Sequence, residues 1–233
     1  MQVHHSTQSN EHDRQYMRFI LPIILAVIGL ILFGHGAYIH AKAMLAQVLL
    51  EKAFATTIAT GRTTKPWSWA DTWPVARIEV KRLHASAIAL AGSSGQALAF
   101  GPGHVEGTPD AGERGIAVYS AHRDTHFAFL KNVTVGDAID VTRSDGKHFQ
   151  YRVAATSVVR FDASGLDPLA DGHDLVLSTC WPFEALTPGP ERYLVHATMI
   201  GPGPRRFSAG REIVRAANGT ARATRVATPA NSQ

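Results

Sequence analysis

Cysteine is almost absent from this chain: Cys180 is the only one in 233 residues. A single cysteine excludes an internal disulfide and leaves the thiol either buried and inert or kept for its reactivity. Charge of either sign is absent from Phe19 to Ile39, "FILPIILAVIGLILFGHGAYI". Acid is scarce near the other end, where Arg205, Arg206, Arg211, Arg215, Arg222 and Arg225 face Glu212 alone. Much of the net charge of +4, and of the pI near 9.4, therefore sits in residues 203–233. A basic tail beside a neutral body speaks weakly for a membrane surface or another polyanion, and its composition fits a merely solvated, disordered segment better; no nucleic-acid partner is expected. Apolar material is plentiful: 45% of residues are hydrophobic and 18% charged, enough for one domain with a real core.

The uncharged stretch is long enough to span a membrane, since about 20 apolar residues in a helix cross the hydrocarbon core. Pro22 is expected in its first turn, where a missing N–H does least harm. A cleaved signal peptide would carry an apolar region of only about 7–15 residues and then a small-residue site. Here "HAKAMLAQVLLEKAFATTIA" follows and continues as helix, so an uncleaved anchor is expected. Arg14 and Arg18 before it balance Lys42 and Lys52 after it, so charge does not fix the orientation. A short cytoplasmic tail with the rest exported is the simplest arrangement. An exported body meets oxidising conditions, where a lone unpaired thiol becomes informative.

The expected organisation is a tail over 1–18, a transmembrane helix over 19–39, and a juxtamembrane helix with a Trp/Pro-rich linker over 40–74. Gly61 is the expected helix stop, and "KPWSWADTWP" reads as a loop packed on the domain rather than a binding cage. A β-rich domain follows over 75–202, then the basic tail over 203–233. Its strand-like runs are "VARIEV", "SAIAL", "GIAVYSA", "AIDVTR", "HFQYRVAATSVVRF", "DLVLSTC" and "RYLVHATMI". They are separated by turn signals such as "SDGK" and "VGD". Seven or eight short strands with few helical interruptions indicate a mainly β fold, a closed or nearly closed barrel.

Two of these strands end on chemically useful groups. "GIAVYSA" delivers His122 to a strand end, and "DLVLSTC" does the same for Cys180. A hairpin through "WPFEALTPGPE" would bring Arg192, at the start of "RYLVHATMI", beside Cys180. A thiol nucleophile needs an acid/base partner and something to hold the developing oxyanion. Arg192 suits the second task, being permanently charged and forked, and His122 the first. His122 and His126 form an H-x3-H pair, but it follows a strand and lacks the H-E-x-x-H glutamate, so no metal is expected. His104 and His196 read as structural or surface histidines.

These residues carry a resemblance. "VLSTC", Val176 to Cys180, is similar to the T-L-x-T-C signature of sortases, with Val176 in place of the first Thr. Gly112 to Asp137 resembles the segment around the sortase catalytic histidine, and Arg192 matches the arginine opening the family's last strand. The resemblance covers roughly Val75 to Pro202, and the anchor and "PWSWADTWPVARIEV" lead-in look like sortases of some Gram-negative bacteria. It implies a closed sortase-type β-barrel after an N-terminal transmembrane helix, with the catalytic domain on the extracytoplasmic side of the inner membrane. It implies a cysteine transpeptidase acting on proteins with a C-terminal L-P-x-T-G-like signal and on an amine-bearing cell-envelope acceptor. Cys180 would be the nucleophile, His122 the acid/base and Arg192 the transition-state stabiliser, with Thr179 near the oxyanion. No cofactor is implied. Some family members depend on calcium, but Asp162, Asp167, Asp171 and Asp174 read as solvated loop acids. The competing expectation is a membrane-tethered barrel adaptor with an inert cysteine. A papain-like hydrolase fits less well, because Pro182 stands where that fold needs a helix to begin.

Overall fold

The computed structural model describes residues 8–185, 187 and 189–202; the basic tail over 203–233 lies outside the described residues. The span and the juxtamembrane helix read from sequence are one unbroken helix, α1 (Gln8–Thr60), of 53 residues and about 80 Å. It begins within the stretch read as a tail, where "QSNEHDRQYM" contains neither glycine nor proline to stop it. Pro22 consequently lies in the helix interior, not in its first turn. There it removes one backbone hydrogen bond and crowds the carbonyl four residues back, a defect that membrane helices tolerate. Residues from Ile20 onward form a helix long and apolar enough to cross a membrane. The helix ends as expected: Gly61 adopts φ 67°, and its N–H donates to the Thr57 carbonyl at 2.8 Å.

The last turns of α1 are part of the folded domain. Leu50 and Phe54 are buried with Ile88, Leu90 and Ala97. Glu51 pairs with Arg77, whose guanidinium carbon lies 5.2 Å from the Phe54 ring centre. Gln47 Nε2 donates to the Phe100 carbonyl at 2.8 Å. These contacts join the helix to the domain that follows.

That domain is a closed barrel of eight strands: β1 (Pro74–Val80), β2 (Ala85–Leu90), β3 (Gly103–His104), β4 (Gly115–Ser120), β5 (Ala138–Arg143), β6 (His148–Arg160), β7 (His173–Cys180) and β8 (Glu191–Pro202). They close in the order β1-β2-β3-β4-β7-β8-β6-β5. Seven strands are legible as sequence runs; β3 has two residues, too few to show alternation. A short helix, α2 (Gly95–Phe100), was also not foreseen. Two neighbouring pairs, β2–β3 and β4–β7, run parallel and the remaining six antiparallel.

Side chains alternate across each strand, so adjacent residues serve opposite faces. Tyr119, Leu175, Leu177, Val195 and Ala197 fill the barrel interior with Ile78, Ile139, Val141 and Tyr151. Their neighbours Val118, Val176 and Leu194 form a second apolar strip on the opposite face of β4, β7 and β8. Val105, Ile116, Val159 and Leu166 pack against that strip. Leu166 belongs to the β6–β7 connection, which is docked over the start of β4. There Gly115 N–H donates to the Gly172 carbonyl at 2.9 Å and Ile116 N–H to the Pro168 carbonyl at 3.1 Å. Gly115, at φ 113°, is required: a β-carbon there would lie 2.2 Å from the Pro168 oxygen.

Candidate active site

The parallel pairing of β4 with β7 brings the expected residues to one rim. Ser120 is paired with Ser178. One step on, Ala121 N–H donates to the Ser178 carbonyl at 3.1 Å, and Thr179 Oγ1 donates to the Ala121 carbonyl at 2.7 Å. The next step along both chains reaches His122 and Cys180. On the other side of β7, Cys180 is the direct antiparallel partner of Arg192. The neighbourhood of Cys180 and Arg192 expected from the hairpin is thus present.

Alternation decides which way these groups face. Val176, Ser178 and Cys180 share one face of β7, and Arg192 and Leu194 share the corresponding face of β8. This is the face of the Val118–Val176–Leu194 strip, so the thiol stands at one end of that apolar track. Cys180 is half-buried and unpaired, Arg192 half-buried and His122 exposed. Among the described residues, no hydrogen bond joins the Cys180 sulfur to the His122 ring or the Arg192 guanidinium. Thr179 points the opposite way, into the barrel, and is 1% exposed. Its hydroxyl proton, offered from the sequence for the oxyanion, is donated to Ala121 and so aligns the two strand ends.

The electrostatics of Arg192 are unusual for a half-buried arginine. Nη1 donates to the carbonyls of Gly189 and Glu191 at 2.9 and 2.8 Å, and the guanidinium carbon lies 5.6 Å from the Phe161 ring centre. Among the described residues, no carboxylate forms an ion pair with it. Its positive charge is held in place by backbone oxygens and a ring, not neutralised.

Several side chains that shape this rim were not singled out from the sequence. Arg123, next to His122, donates from Nη2 to the carbonyls of Ala185 and Thr187, the latter at 3.1 Å. It ties the chain after β4 to the loop between Cys180 and Arg192. Trp181 stacks on Tyr193 at 5.6 Å, and Phe183 meets Tyr193 edge-on at 5.2 Å, closing the base of the same loop. The "HRD" triplet was visible, but a charged residue after a strand carries no sign of whom it will meet.

The remaining histidines serve elsewhere. Burial holds the His126 imidazole below its usual pKa, a hydrogen bond with the Ala99 backbone opposes this, and His122 adds repulsion. His104 Nε2 lies 3.0 Å from the Pro109 carbonyl oxygen, and its ring contacts Tyr119 at 5.1 Å. His196 Nε2 is 2.9 Å from Ser157 Oγ. Among the described residues, no group of three or more His, Cys, Asp or Glu is arranged to hold a metal. Of the loop acids, Asp162 is paired with Arg160 at 3.0 Å and Asp171 with Arg114.

The barrel is mixed and eight-stranded, and at one rim it carries a half-buried thiol opposite an arginine that no carboxylate neutralises among the described residues. Residues 78–200 match the family model "Sortase domain", and the chain belongs to the sortase family. It is similar to sortase D of Bacillus subtilis strain 168, with 25% identity over 198 residues, covering 79% of this chain and all of that protein. Among solved structures it resembles a Clostridium perfringens sortase D5 transpeptidase at TM-score 0.55 and 22% identity, covering 68% of this chain and 99% of that one. It also resembles Streptococcus agalactiae sortase C1, solved in complex with MTSET, at TM-score 0.51 and 27% identity, covering 58% and 72%. The protein is therefore a cysteine-type transpeptidase, not an adaptor, and its barrel is not the papain fold. These relatives are sortases of Gram-positive bacteria, so the likeness of the anchor and lead-in to Gram-negative sortases is not supported.

Proposed function

We propose that the protein cleaves a C-terminal L-P-x-T-G-like sorting signal through a thioester on Cys180 and transfers the carrier protein to an amine of the cell envelope. The reading rests above all on the strand register: Cys180 is opposite Arg192 of β8, and the β4–β7 pairing, which ends at Ser120 and Ser178, leaves His122 and Cys180 each two residues further along. In this reading residues 1–18 are cytoplasmic, residues 19–39 cross the cytoplasmic membrane, 40–74 link the span to the barrel, and 75–202 act outside it.

Cys180, its thiol proton passed to His122, attacks through sulfur the Thr carbonyl carbon of the Thr–Gly bond, and the oxygen gains negative charge. Arg192, lacking a carboxylate of its own, meets that charge with a preorganised donor fork. The intermediate collapses, the C–N bond breaks, and the departing amine takes a proton from His122. The carrier is left as a thioester. An incoming amine attacks it and gives a proton to His122, the C–S bond breaks as the new amide forms, and His122 returns that proton to the Cys180 sulfur. Thr179 acts indirectly, by fixing the Ala121 carbonyl and hence the chain that carries His122.

The test uses the full chain in detergent under reducing conditions. An L-P-x-T-G-type peptide should leave an acyl adduct on Cys180, seen by mass spectrometry, and hydroxylamine should convert it to peptide hydroxamate. Cys180→Ala should abolish both products while leaving the melting temperature near that of the parent. Absence of adduct and hydroxamate with the parent protein would sink the thioester reading.

A further inference from the structure

A cavity lies away from the rim, where α1, α2 and the tryptophan-rich loop meet. It has a volume of about 630 Å³ and its lining includes Leu45, Leu49, Trp67, Trp69 and Phe100, with Lys42 and Asp71 as the charged residues. Such a volume is in the range of small-molecule sites. Part of the loop packs as expected, since Trp67 meets the Phe100 ring edge-on at 5.0 Å. Trp69 does not: it lines the cavity yet is 80% exposed. Met44, Leu45 and Val48 on the adjoining helix are also exposed.

The height of this site above the span follows from chain geometry. Lys42 is three residues beyond Ile39, about 4.5 Å along the helix. The headgroup layer outside the hydrocarbon core is about 5–7 Å thick on each side. From Thr60 back up to Lys42 is about 27 Å of helix. The chain after Gly61 folds back along α1, so that Trp69 lines the same cavity as Lys42 and Leu45, which are within about two helical turns of the end of the span. Because α1 is unbroken and packed on the barrel through Leu50 and Phe54, this height is set by the fold.

We propose that the cavity and the Trp69 edge form a phospholipid-binding face that seats the barrel on the leaflet from which α1 emerges. The proposal rests on residues 19–39 being a membrane span. An acyl chain lies against Leu45, Leu49, Trp67 and Phe100, and the lipid phosphate meets Lys42, which among the described residues pairs with no carboxylate. Tryptophan at the headgroup level and a lysine reaching for phosphate are the usual anchors of such a surface. The apolar continuity from the span through Met44, Leu45 and Val48 favours lipid over a second protein.

The full chain is reconstituted in phosphatidylcholine–phosphatidylglycerol vesicles, with and without lipids brominated high in the acyl chain. Parent and Trp69→Phe proteins are compared, a change at an exposed position that leaves the packing intact. The fluorescence difference between them isolates Trp69. Bromolipid should quench that difference signal at least twofold, and acrylamide in the water should barely affect it. A signal open to acrylamide and indifferent to bromine would overturn the proposal. So would a signal protected from both, which would mean that another segment of the chain or a second copy covers the site. Vesicle flotation separates the two levels of failure: protein that does not float has no anchor, whereas protein that floats unquenched has an anchor but no lipid-binding face.

Discussion

Two arginines sit at opposite ends of the barrel and are handled in opposite ways. Arg143, at the end of β5, has its side chain 15% exposed and donates to Asp145 at 2.8 Å and to Glu113 at 3.1 Å. It also donates to the Ala111 carbonyl and lies 5.8 Å from the Phe149 ring centre. Arg192, at the start of β8, has a ring and carbonyls about it but no carboxylate. The first arrangement spends the charge on holding strands and turns together. The second keeps it available, since a permanent partner would compete with any oxyanion formed beside Cys180. The charge of one arginine is used by the fold, and that of the other is left for a substrate.

The sharpest way to break this comparison is to change each arginine in turn. Arg192→Lys keeps the charge and loses the fork, so kcat/KM should fall by roughly 10²–10³. Its melting temperature should stay within about 2 °C of the parent, as only hydrogen bonds to carbonyls are weakened. Arg143→Met should do the reverse. Removing the central partner of Glu113 and Asp145 should cost about 2 kcal/mol after allowance for their solvent exposure. The melting temperature should fall by about 4–8 °C, with kcat/KM at a temperature well below the transition unchanged within twofold. Equal loss of rate in both variants would show that the rim is not electrostatically distinct.

A smaller effect is expected at Thr179, which belongs to both worlds: it is buried in the core but holds a residue next to His122. Thr179→Val keeps the shape and removes the donor to the Ala121 carbonyl. The stranded carbonyl should destabilise the fold by about 1–2 kcal/mol. If Thr179 acts by placing His122, kcat should also fall several-fold with little change in KM, and Thr179→Ser should recover it. A stability loss with unchanged kcat would leave the residue purely structural.

How much of this was legible in the sequence depends on distance along the chain. Seven strands, the helix stop at Gly61 and the meeting of Cys180 with Arg192 all rest on local pattern or one hairpin, and all were readable. The β4–β7 pairing was not, because parallel neighbours need a long crossover and carry no turn signal between them. His122 and Cys180 could be assigned to strand ends but not to adjacent strands. The partners of Arg123 lie over sixty residues away, on loop carbonyls that have no side-chain signature. Pro22 was misplaced because the start of α1 was taken from the apolar run, whereas helix formation extends past it into polar residues. The site was legible as a set of residue types, and its alignment only as a topology.

The smallest expected effect concerns acid, and it separates paired arginines from unpaired ones. Arg82 donates through Nε to Asp137 Oδ1 at 2.5 Å and through Nη2 to Oδ2 at 2.7 Å. The Asp137 carboxylate is nearly buried at the entry to β5, and Thr134 N–H donates to it at 2.8 Å. The Arg82 guanidinium, helped by Thr134 and opposed by burial, holds the Asp137 pKa below the usual carboxylate range. Folding therefore favours the ionised form, so the stabilising contribution is complete above the unfolded-state value of about 3.9. It is lost as pH falls below that value and through the depressed folded-state pKa. In thermal unfolding at a series of pH values, Asp137→Asn should melt below the parent near neutrality. The two curves should converge as pH drops below about 4, because the parent then loses what the variant never had. Arg192→Lys should instead track the parent at every pH, since no carboxylate titrates against it. If the Asp137→Asn gap persisted undiminished into acid, the carboxylate would be holding its loop by shape and not by charge. Arg82 would then have to be removed from the class that Arg143 defines.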